Sequence, residues 1–306
     1  MADKDWQNHF RQILYRPFNY RHVYFHPSVV WRPRLDVMSQ MLLPNVALIA
    51  TRQTRDQFDA LVTNTVVGHK SVAAYDINTV FPLYIYRENE KVQKQRTLSA
   101  QPERRANLSP GFTFALAERL GLAWSNDGKG DLQKSVGPED VFGYIYAVLN
   151  CGSYRTRYAE FLRVDFPRVP LTRSMDLFRA LVANGRELAS LHLMESPKLN
   201  QFITRYEQPG EHRVEKVRYV EPNPKVGIKS GRVYLNPKQF FEGVPKEVWE
   251  FHIGGYQVCE KWLKDRKGRT LSSDDIDHYQ KIVVALNDTI RIMKEIDEII
   301  PGWPLP

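Results

Sequence analysis

The chain has 306 residues, of which 42 % are hydrophobic and 25 % are charged, the balance of a folded globular protein. It carries 43 Lys+Arg against 35 Asp+Glu, a net charge of +8, which is compatible with a polyanionic partner. No apolar run approaches the ~18 residues of a membrane span, the N-terminus lacks the apolar segment of a signal peptide, and two cysteines exclude a disulfide framework or a Cys-rich zinc site. We therefore expect a cytoplasmic protein with reduced thiols.

Residues 1–135 have the pattern of short strands broken by turns, with two helices between them. Strands are predicted at 20–25, 45–50 and 80–86, and helices at 34–43 and 112–122. Pro82 places the last of these strands at a sheet edge or at a strand start. The polar residues 87–110 predict a loop or linker. This first part is therefore expected to be mixed α/β.

Residues 136–306 have a more helical pattern. Helices are predicted at 138–149, 154–162 and 175–194, and residues 201–238 return to strand character. Ser272 or Ser273 is expected to cap a final long helix, whose first turn carries two aspartates where negative charge is favourable. The two parts together predict an α+β fold: a mixed strand and helix part joined to a helical region that holds a small β insertion and a long C-terminal helix.

The C-terminal helix shows a regular apolar spacing. Apolar residues lie three or four positions apart, close to a heptad repeat, at Ile276, Tyr279, Val283, Leu286, Ile290, Met293, Ile296 and Ile300. At about 1.5 Å per residue the helix is about 40 Å long. The spacing predicts one covered stripe, packed inside the protein or against another domain.

Catalytic motifs are absent from the sequence. There is no phosphate-binding glycine loop, no His-Glu-x-x-His, no Gly-x-Ser-x-Gly and no Asn-Pro-Pro-Tyr adenine pocket. His22 and His26 lie four apart on a predicted strand, too far to share one metal ion, and Cys151 follows an apolar helix as a buried hydrophobe would. We predict no catalytic residue, no metal site and no cofactor in this chain.

The segment Thr51-Arg52-Gln53-Thr54-Arg55 follows a predicted apolar strand. Arginine can pair bidentately with guanine, and glutamine with adenine, in the major groove of DNA. Arg52, Gln53 and Arg55 are therefore candidate base readers at a strand end.

Two further segments are strongly basic: residues 205–238 carry eight basic and four acidic residues, and residues 261–269 carry five basic residues and one acid. Such clusters suit phosphate contacts, which fix the register of a protein on DNA and make its affinity salt-dependent. The candidates are Arg213, Lys216, Arg218, Lys264, Arg266, Lys267 and Arg269.

Several blocks carry a family resemblance. They are Arg32-Pro33-Arg34 with Val37-Met38, 81–86 (FPLYIY), 141–150 (VFGYIYAVLN), 165–170 (DFPRVP), and a last block from 241–245 (FEGVP) through 249–256 (WEFHIGGY) to 261–269 (KWLKDRKGR). These blocks resemble the C-terminal specificity region of type ISP restriction–modification enzymes and their single-chain methyltransferase relatives.

The resemblance implies a role in DNA recognition. In that family one polypeptide carries a nuclease, a translocase or helicase, an adenine-N6 methyltransferase and a C-terminal target-recognition domain. This chain resembles the last part, so its partners would be double-stranded DNA and the upstream domains, without a membrane. S-adenosylmethionine, Mg and ATP would serve only those domains. Two alternatives stay open: a catalytic fragment (a metal nuclease or a methyltransferase), or a protein-interaction scaffold built on the C-terminal helix.

Overall fold

A computed structural model describes residues 6–87 and 103–305 of the chain. Within those ranges it contains nine α-helices and fifteen short strands, which confirms the predicted α+β class. The elements of the first part are β1 (Phe10–Arg16), β2 (Asn19–Tyr24), α1 (Leu35–Met38), β3 (Ala47–Thr51), β4 (Ala60–Thr63), β5 (Val66–Val67), β6 (Asn78–Pro82), β7 (Tyr84–Tyr86), β8 (Arg104–Ala106), α2 (Pro110–Leu120), β9 (Ala123–Trp124) and β10 (Ser135–Val136). The later elements are α3 (Pro138–Leu149), α4 (Gly152–Arg157), α5 (Ala159–Val164), α6 (Met175–His192), β11 (Arg218–Val220), β12 (Arg232–Tyr234), β13 (Phe240–Glu242), α7 (Lys246–Trp249), β14 (His252–Ile253), β15 (Tyr256–Gln257), α8 (Val258–Lys264) and α9 (Ser273–Ile299).

Three three-stranded sheets contain nine of the fifteen strands. β3 lies between β4 and β6 and is antiparallel to both, while β1 lies between β2, which is antiparallel to it, and β5, which is parallel. β11, β12 and β13 form an antiparallel sheet in and just beyond the predicted insertion. Nearly all residues of β3 and β4 are buried, so this pair anchors the loop that joins them.

The predicted strand at 80–86 is two strands. β6 ends at Pro82, which has no N–H to donate to a ladder, and β6 is an edge strand as the proline predicted. β7 begins at Tyr84 and pairs with β8 instead. The prediction of a loop throughout 87–110 is therefore wrong for residues 104–106, whereas residues 88–102 lie outside the described residues.

Two predicted helices are interrupted. The helix predicted at 34–43 consists of α1 followed by a 3-10 helix, Ser39–Leu42. The helix predicted at 154–162 is divided between α4 and α5 at Tyr158, whose backbone leaves the helical conformation. Both interruptions lie in short amphipathic segments, in which tertiary packing rather than helix propensity sets the ends.

Helices α3 and α6 approach each other closely because each has a glycine where they meet. A Cβ added to Gly185 would lie 1.8 Å from the carbonyl oxygen of Gly143, and one added to Gly143 would lie 3.0 Å from that of Val182. Beside the glycines the rings of Tyr144 and Phe178 pack with centroids 5.0 Å apart. The two backbones are thus at a distance that only glycine permits.

The long helix α9 packs inside the protein. Ser272 caps it, accepting a hydrogen bond from the backbone N–H of Asp275, whose carboxylate accepts from the Ser272 N–H in return. The helix contacts α6, α7 and α4. Ile282, Val284 and Ala285 are buried in addition to the predicted stripe. The predicted single stripe was therefore too narrow, because α9 is covered on more than one side.

One hydrophobic cluster extends from Leu14 to Ile300 and includes residues on both sides of position 135. The division into 1–135 and 136–306 stays a prediction. Across residues 6–87 and 103–305, none of the helices combines the length and the apolar character that crossing a membrane requires.

His192 is a buried histidine that joins three helices. Its Nδ1 accepts a hydrogen bond from the hydroxyl of Tyr146 on α3, and its Nε2 donates to Thr289 Oγ1 on α9 at 2.9 Å. Because the Thr289 hydroxyl donates onward to the carbonyl of Ala285, this assignment requires a neutral imidazole with its proton on Nε2. Burial lowers the pKa of His192 to about 3.

The stability of the fold is therefore expected to fall on acidification below pH 6.5. The unfolded chain binds a proton at His192 with a pKa of about 6.5, whereas the folded chain does not until about pH 3. The free energy of unfolding is therefore highest above pH 6.5 and decreases as the pH falls. Between pH 7 and pH 5 the protonation of His192 in the unfolded chain lowers it by about 2 kcal/mol. Urea unfolding at pH 7 and at pH 5, in the wild type and in His192→Gln, measures this loss of stability. An equal pH dependence in the two proteins would contradict the assignment.

Candidate nucleic-acid interface

The β3–β4 loop, residues 52–59, holds the three predicted base readers. Arg52, Gln53 and Arg55 are exposed, whereas Thr54 and Phe58 between and after them are buried. The loop is thus held at intervals by inward-facing side chains, while the polar side chains predicted to read DNA face the solvent.

Hydrogen bonds from other elements fix the backbone of this loop. The N–H of Thr54 donates to the carbonyl of Arg163 on α5 at 3.2 Å, and the N–H of Arg55 donates to Asp76 Oδ2 at 2.8 Å. Asp56 accepts from the N–H of Ala74 at 3.1 Å. The exposed side chains therefore start from a well-defined backbone, which lowers the entropy lost when they bind.

A buried ion pair lies at the end of the loop. Arg155 of α4 donates to Asp59 Oδ1 at 2.5 Å, and both side chains are less than 10 % exposed. The other carboxylate oxygen of Asp59 accepts from the N–H of Gly254 at 3.1 Å, and Arg155 also donates to the carbonyl of Leu149. A buried charge pair of this kind is stable only when its remaining hydrogen-bonding groups are also satisfied, and here several of them are.

Arg52 makes one polar contact with a neighbouring element. Its Nε donates to Asp165 Oδ1 at 3.3 Å, with 70 % of the arginine side chain and 54 % of the aspartate side chain exposed. A backbone hydrogen bond from Phe166 and the bond from Arg52 hold the pKa of Asp165 below its usual range. Exposed ion pairs contribute little to stability, so this contact leaves Arg52 available to a ligand.

The other predicted contacts meet where residues 212–214 run antiparallel to 268–271. The N–H of Val214 donates to the carbonyl of Arg269 at 2.9 Å, and the N–H of Leu271 donates to that of His212 at 3.0 Å. This ladder brings two of the predicted basic segments together into one group, which we call the basic platform: Arg213, Lys216, Arg218, Lys267 and Arg269, all exposed.

The members of the basic platform are not neutralised by ion pairs within the described part of the chain. Arg218 instead lies 4.1 Å from the ring of Tyr234. Two exposed acids, Glu211 and Glu215, lie along the same segment. Five exposed basic residues against these two acids leave the platform with a local surplus of positive charge.

Two of the predicted phosphate contacts are occupied by other partners. Lys264 pairs with Glu260 at 2.8 Å. Arg266 is only 13 % exposed, pairs with Asp275, and lies 3.3 Å from the ring of Trp262. The position of Arg266 favours a structural role, connecting α8 to the start of α9.

The structure thus divides the ten predicted residues between two places. The β3–β4 loop contacts α4 and α5, whereas the turn that carries Arg266 contacts Asn19 at the β1–β2 turn. No hydrogen bond or ion pair in the described part of the chain joins the loop to the platform. Sequence reasoning missed Asp165 and the anchoring acids Asp56 and Asp76, because each makes its contact with a segment distant in sequence.

The two cysteines belong to neither surface. Both are buried, and burial raises the pKa of the Cys151 thiol to about 11 and that of the Cys259 thiol to about 12. The prediction that Cys151 is a buried small residue is confirmed. Among residues 6–87 and 103–305 there is no group of three or more His, Cys, Asp or Glu side chains placed to hold a metal ion.

The family of the chain follows from comparison with known proteins. Residues 1–295 match the family model of the type ISP C-terminal specificity domain. The chain belongs to this family. The resemblance predicted from the sequence blocks is confirmed, and the specificity domain extends over nearly the whole chain. No curated protein matches it.

Three solved structures share the fold of this specificity domain. The ATP-dependent type ISP restriction-modification enzyme LlaBIII bound to DNA is 20 % identical to this chain, with a TM-score of 0.66. The match covers 97 % of this chain and 19 % of the LlaBIII chain. The DrdV–DNA complex is 21 % identical to this chain, with a TM-score of 0.72, and the match covers 94 % of this chain and 28 % of the DrdV chain. A nuclease-deletion mutant of the type ISP restriction-modification enzyme LlaGI, in complex with a DNA substrate mimic, is 17 % identical, with a TM-score of 0.63. The match covers 97 % of this chain and 25 % of the LlaGI chain. At these identities the likeness establishes the fold, and this chain spans less than a third of each matched chain.

The blocks that carry the family resemblance build the core of the specificity domain. Residues 141–149 lie in α3. Gly254 has φ +54, and a Cβ there would lie 1.8 Å from the carbonyl oxygen of Val72. The hydroxyl of Tyr256 donates to the carbonyl of Lys70 at 2.8 Å. These parts of the blocks therefore belong to the scaffold, whereas the last block also contains Lys267 and Arg269, which are exposed.

Proposed function

We propose that this specificity domain recognises a double-stranded DNA sequence on behalf of a restriction–modification enzyme. The observation that carries the proposal is the family match over residues 1–295. The exposed, backbone-anchored side chains of the β3–β4 loop and the positive charge of the basic platform supply the chemistry that such a role requires.

We assign different tasks to the two surfaces. Arg52, Gln53 and Arg55 have the donors and acceptors that pair with base edges in the major groove. The basic platform suits phosphates, which determine affinity and its salt dependence without reading sequence. Arg266 is left out of the contact set, since its guanidinium is already engaged.

We further propose that the chemical steps belong to other domains of a longer polypeptide or complex. The matched structures belong to chains of which this one covers between 19 % and 28 %. A methyltransferase and a translocase or nuclease, acting with S-adenosylmethionine, Mg and ATP in the cytoplasm, would supply the reactions. We assign no catalytic residue and no cofactor to the present chain.

The division of tasks is tested by binding. A DNA sequence selected by the wild type from a randomised duplex pool serves as the specific probe, and a scrambled duplex as the non-specific one. Arg52→Ala or Gln53→Ala is expected to cost about 1–3 kcal/mol on the selected sequence and to relax preference at one position. Lys267→Ala or Arg269→Ala is expected to weaken binding to both duplexes alike and to lower the salt slope by about one.

Lys134→Ala is the matched control, since it removes one exposed positive charge, without an ion-pair partner among the described residues, from the turn before β10. Its binding is expected to change little. If the folded wild type binds no duplex at low salt, the proposed function is refuted and a scaffold role is favoured. Methyl transfer or DNA cleavage by this chain alone would instead favour a catalytic fragment.

A further inference from the structure

Asp165 is an acidic side chain placed beside a group of proposed DNA contacts. It follows α5, where its N–H donates to the carbonyl of Phe161 at 3.1 Å. The next residue, Phe166, packs its ring edge-on against Phe81 with centroids 5.3 Å apart. Because a carboxylate repels phosphate, its position next to Arg52 is expected to weaken non-specific binding to DNA.

The contact between the two side chains has a particular geometry. Asp165 Oδ1 takes the Nε hydrogen of Arg52, and within the described residues neither Nη group has a hydrogen-bond partner. The two Nη groups form the end of the guanidinium that can donate in parallel to O6 and N7 of guanine. The carboxylate thus binds the Nε side of the guanidinium and leaves both Nη groups able to donate to a base.

Holding the side chain also has an entropic effect. A free arginine side chain has about 2 kcal/mol of rotamer entropy to lose on binding. The exposed pair with Asp165 favours one orientation of Arg52 by at most about 1 kcal/mol, and the hydrogen bond from Thr54 to Arg163 keeps the loop backbone next to the end of α5. Both contacts join the same loop to the C-terminal end of α5, so together they favour one position of Arg52 relative to Asp165.

We propose that Asp165 is a positioning residue that orients Arg52 to read a guanine in the major groove. The inference rests on the proposed function and adds a specificity determinant 113 residues distant from the arginine in sequence. Asp165 acts in two ways: it aligns Arg52 with the correct base, and its charge opposes binding to phosphates at incorrect sites.

The experiment compares selections from a randomised duplex pool by the wild type, Asp165→Ala, Arg52→Ala and Glu160→Ala. Asp165→Ala is expected to lower the preference for guanine at one position by about twofold to fivefold while raising the affinity for scrambled duplex. Arg52→Ala is expected to abolish the same preference, and adding Asp165→Ala to it to cause no further loss. Asp165→Asn, which keeps an acceptor oxygen, is expected to recover part of the preference.

Glu160→Ala is the matched control, because Glu160 is an exposed carboxylate on the same helix whose partner is Arg163. It is expected to raise affinity for scrambled duplex without changing any base preference, which separates the effect of charge from that of positioning. The thermal midpoints of all variants are expected to match the wild type, since these side chains are exposed.

An unchanged base preference in folded Asp165→Ala, alongside its loss in Arg52→Ala, would overturn the inference and leave the proposed function intact. If the wild type selects no sequence at all, the proposed function itself fails. The two failures are therefore distinguishable in one set of selections.

Discussion

Replacing Gly185 with alanine is expected to lower the free energy of unfolding by more than about 3 kcal/mol. The new Cβ would lie 1.8 Å from the carbonyl oxygen of Gly143. The position of a Cβ is fixed by its own helix backbone and the oxygen belongs to the other helix backbone, so no rotamer change relieves the clash, and α3 and α6 must move apart. Separation would expose the ring pair of Tyr144 and Phe178 and open the core between the helices. Urea unfolding followed by circular dichroism measures the loss.

Gly111→Ala is the control for this substitution. Gly111 lies in the first turn of α2, and a Cβ there meets no atom within 4 Å. The same chemical change is expected to stabilise the protein by about 0.4–1 kcal/mol, since alanine has less conformational freedom in the unfolded chain. If Gly185→Ala and Gly111→Ala have equal midpoints, the close approach of α3 and α6 is not as described.

Leu286→Asp is expected to cost about 4 kcal/mol or more and to leave the domain unfolded or aggregated. Leu286 is fully buried on α9, so the substitution places a carboxylate in the core. Lys281→Glu, at a half-buried position of the same helix, is expected to be nearly neutral. Thermal unfolding measures both. An unchanged melting temperature together with conversion of a dimer to a monomer would show instead that this face of α9 is an oligomer interface.

The ends of the long helices could be predicted from sequence because their signals are local. α3 occupies the predicted residues 138–149, beginning at a proline, and Ser272 caps α9 as expected. Proline in a first turn and serine at an N-cap act through hydrogen bonds within a few residues. The pairing of β7 with β8 could not be predicted in this way, because it depends on partners about twenty residues apart and on the break at Pro82.

The candidate site was predictable to a similar extent. The exposure of Arg52 and Gln53 follows from their position after a buried strand, and the structure places them there. The engagement of Arg266 with Trp262 and Asp275 was not predictable, because a basic residue in a basic segment gives no sign of burial. Asp165 was missed for the same reason: the contact that distinguishes it from other surface acids is made only in the folded chain.

The alternation of buried and exposed positions in the β3–β4 loop has a consequence for how recognition can change. Thr54 and Phe58 hold the loop, whereas Arg52, Gln53 and Arg55 project from it without supporting the core. Substitutions at the projecting positions alter what the surface can hydrogen-bond at little cost to folding. Under the proposed function, in which these side chains read bases, a new target preference can evolve by exchanging a few of them on an unchanged backbone, and the same positions are the natural ones to randomise when a different specificity is sought.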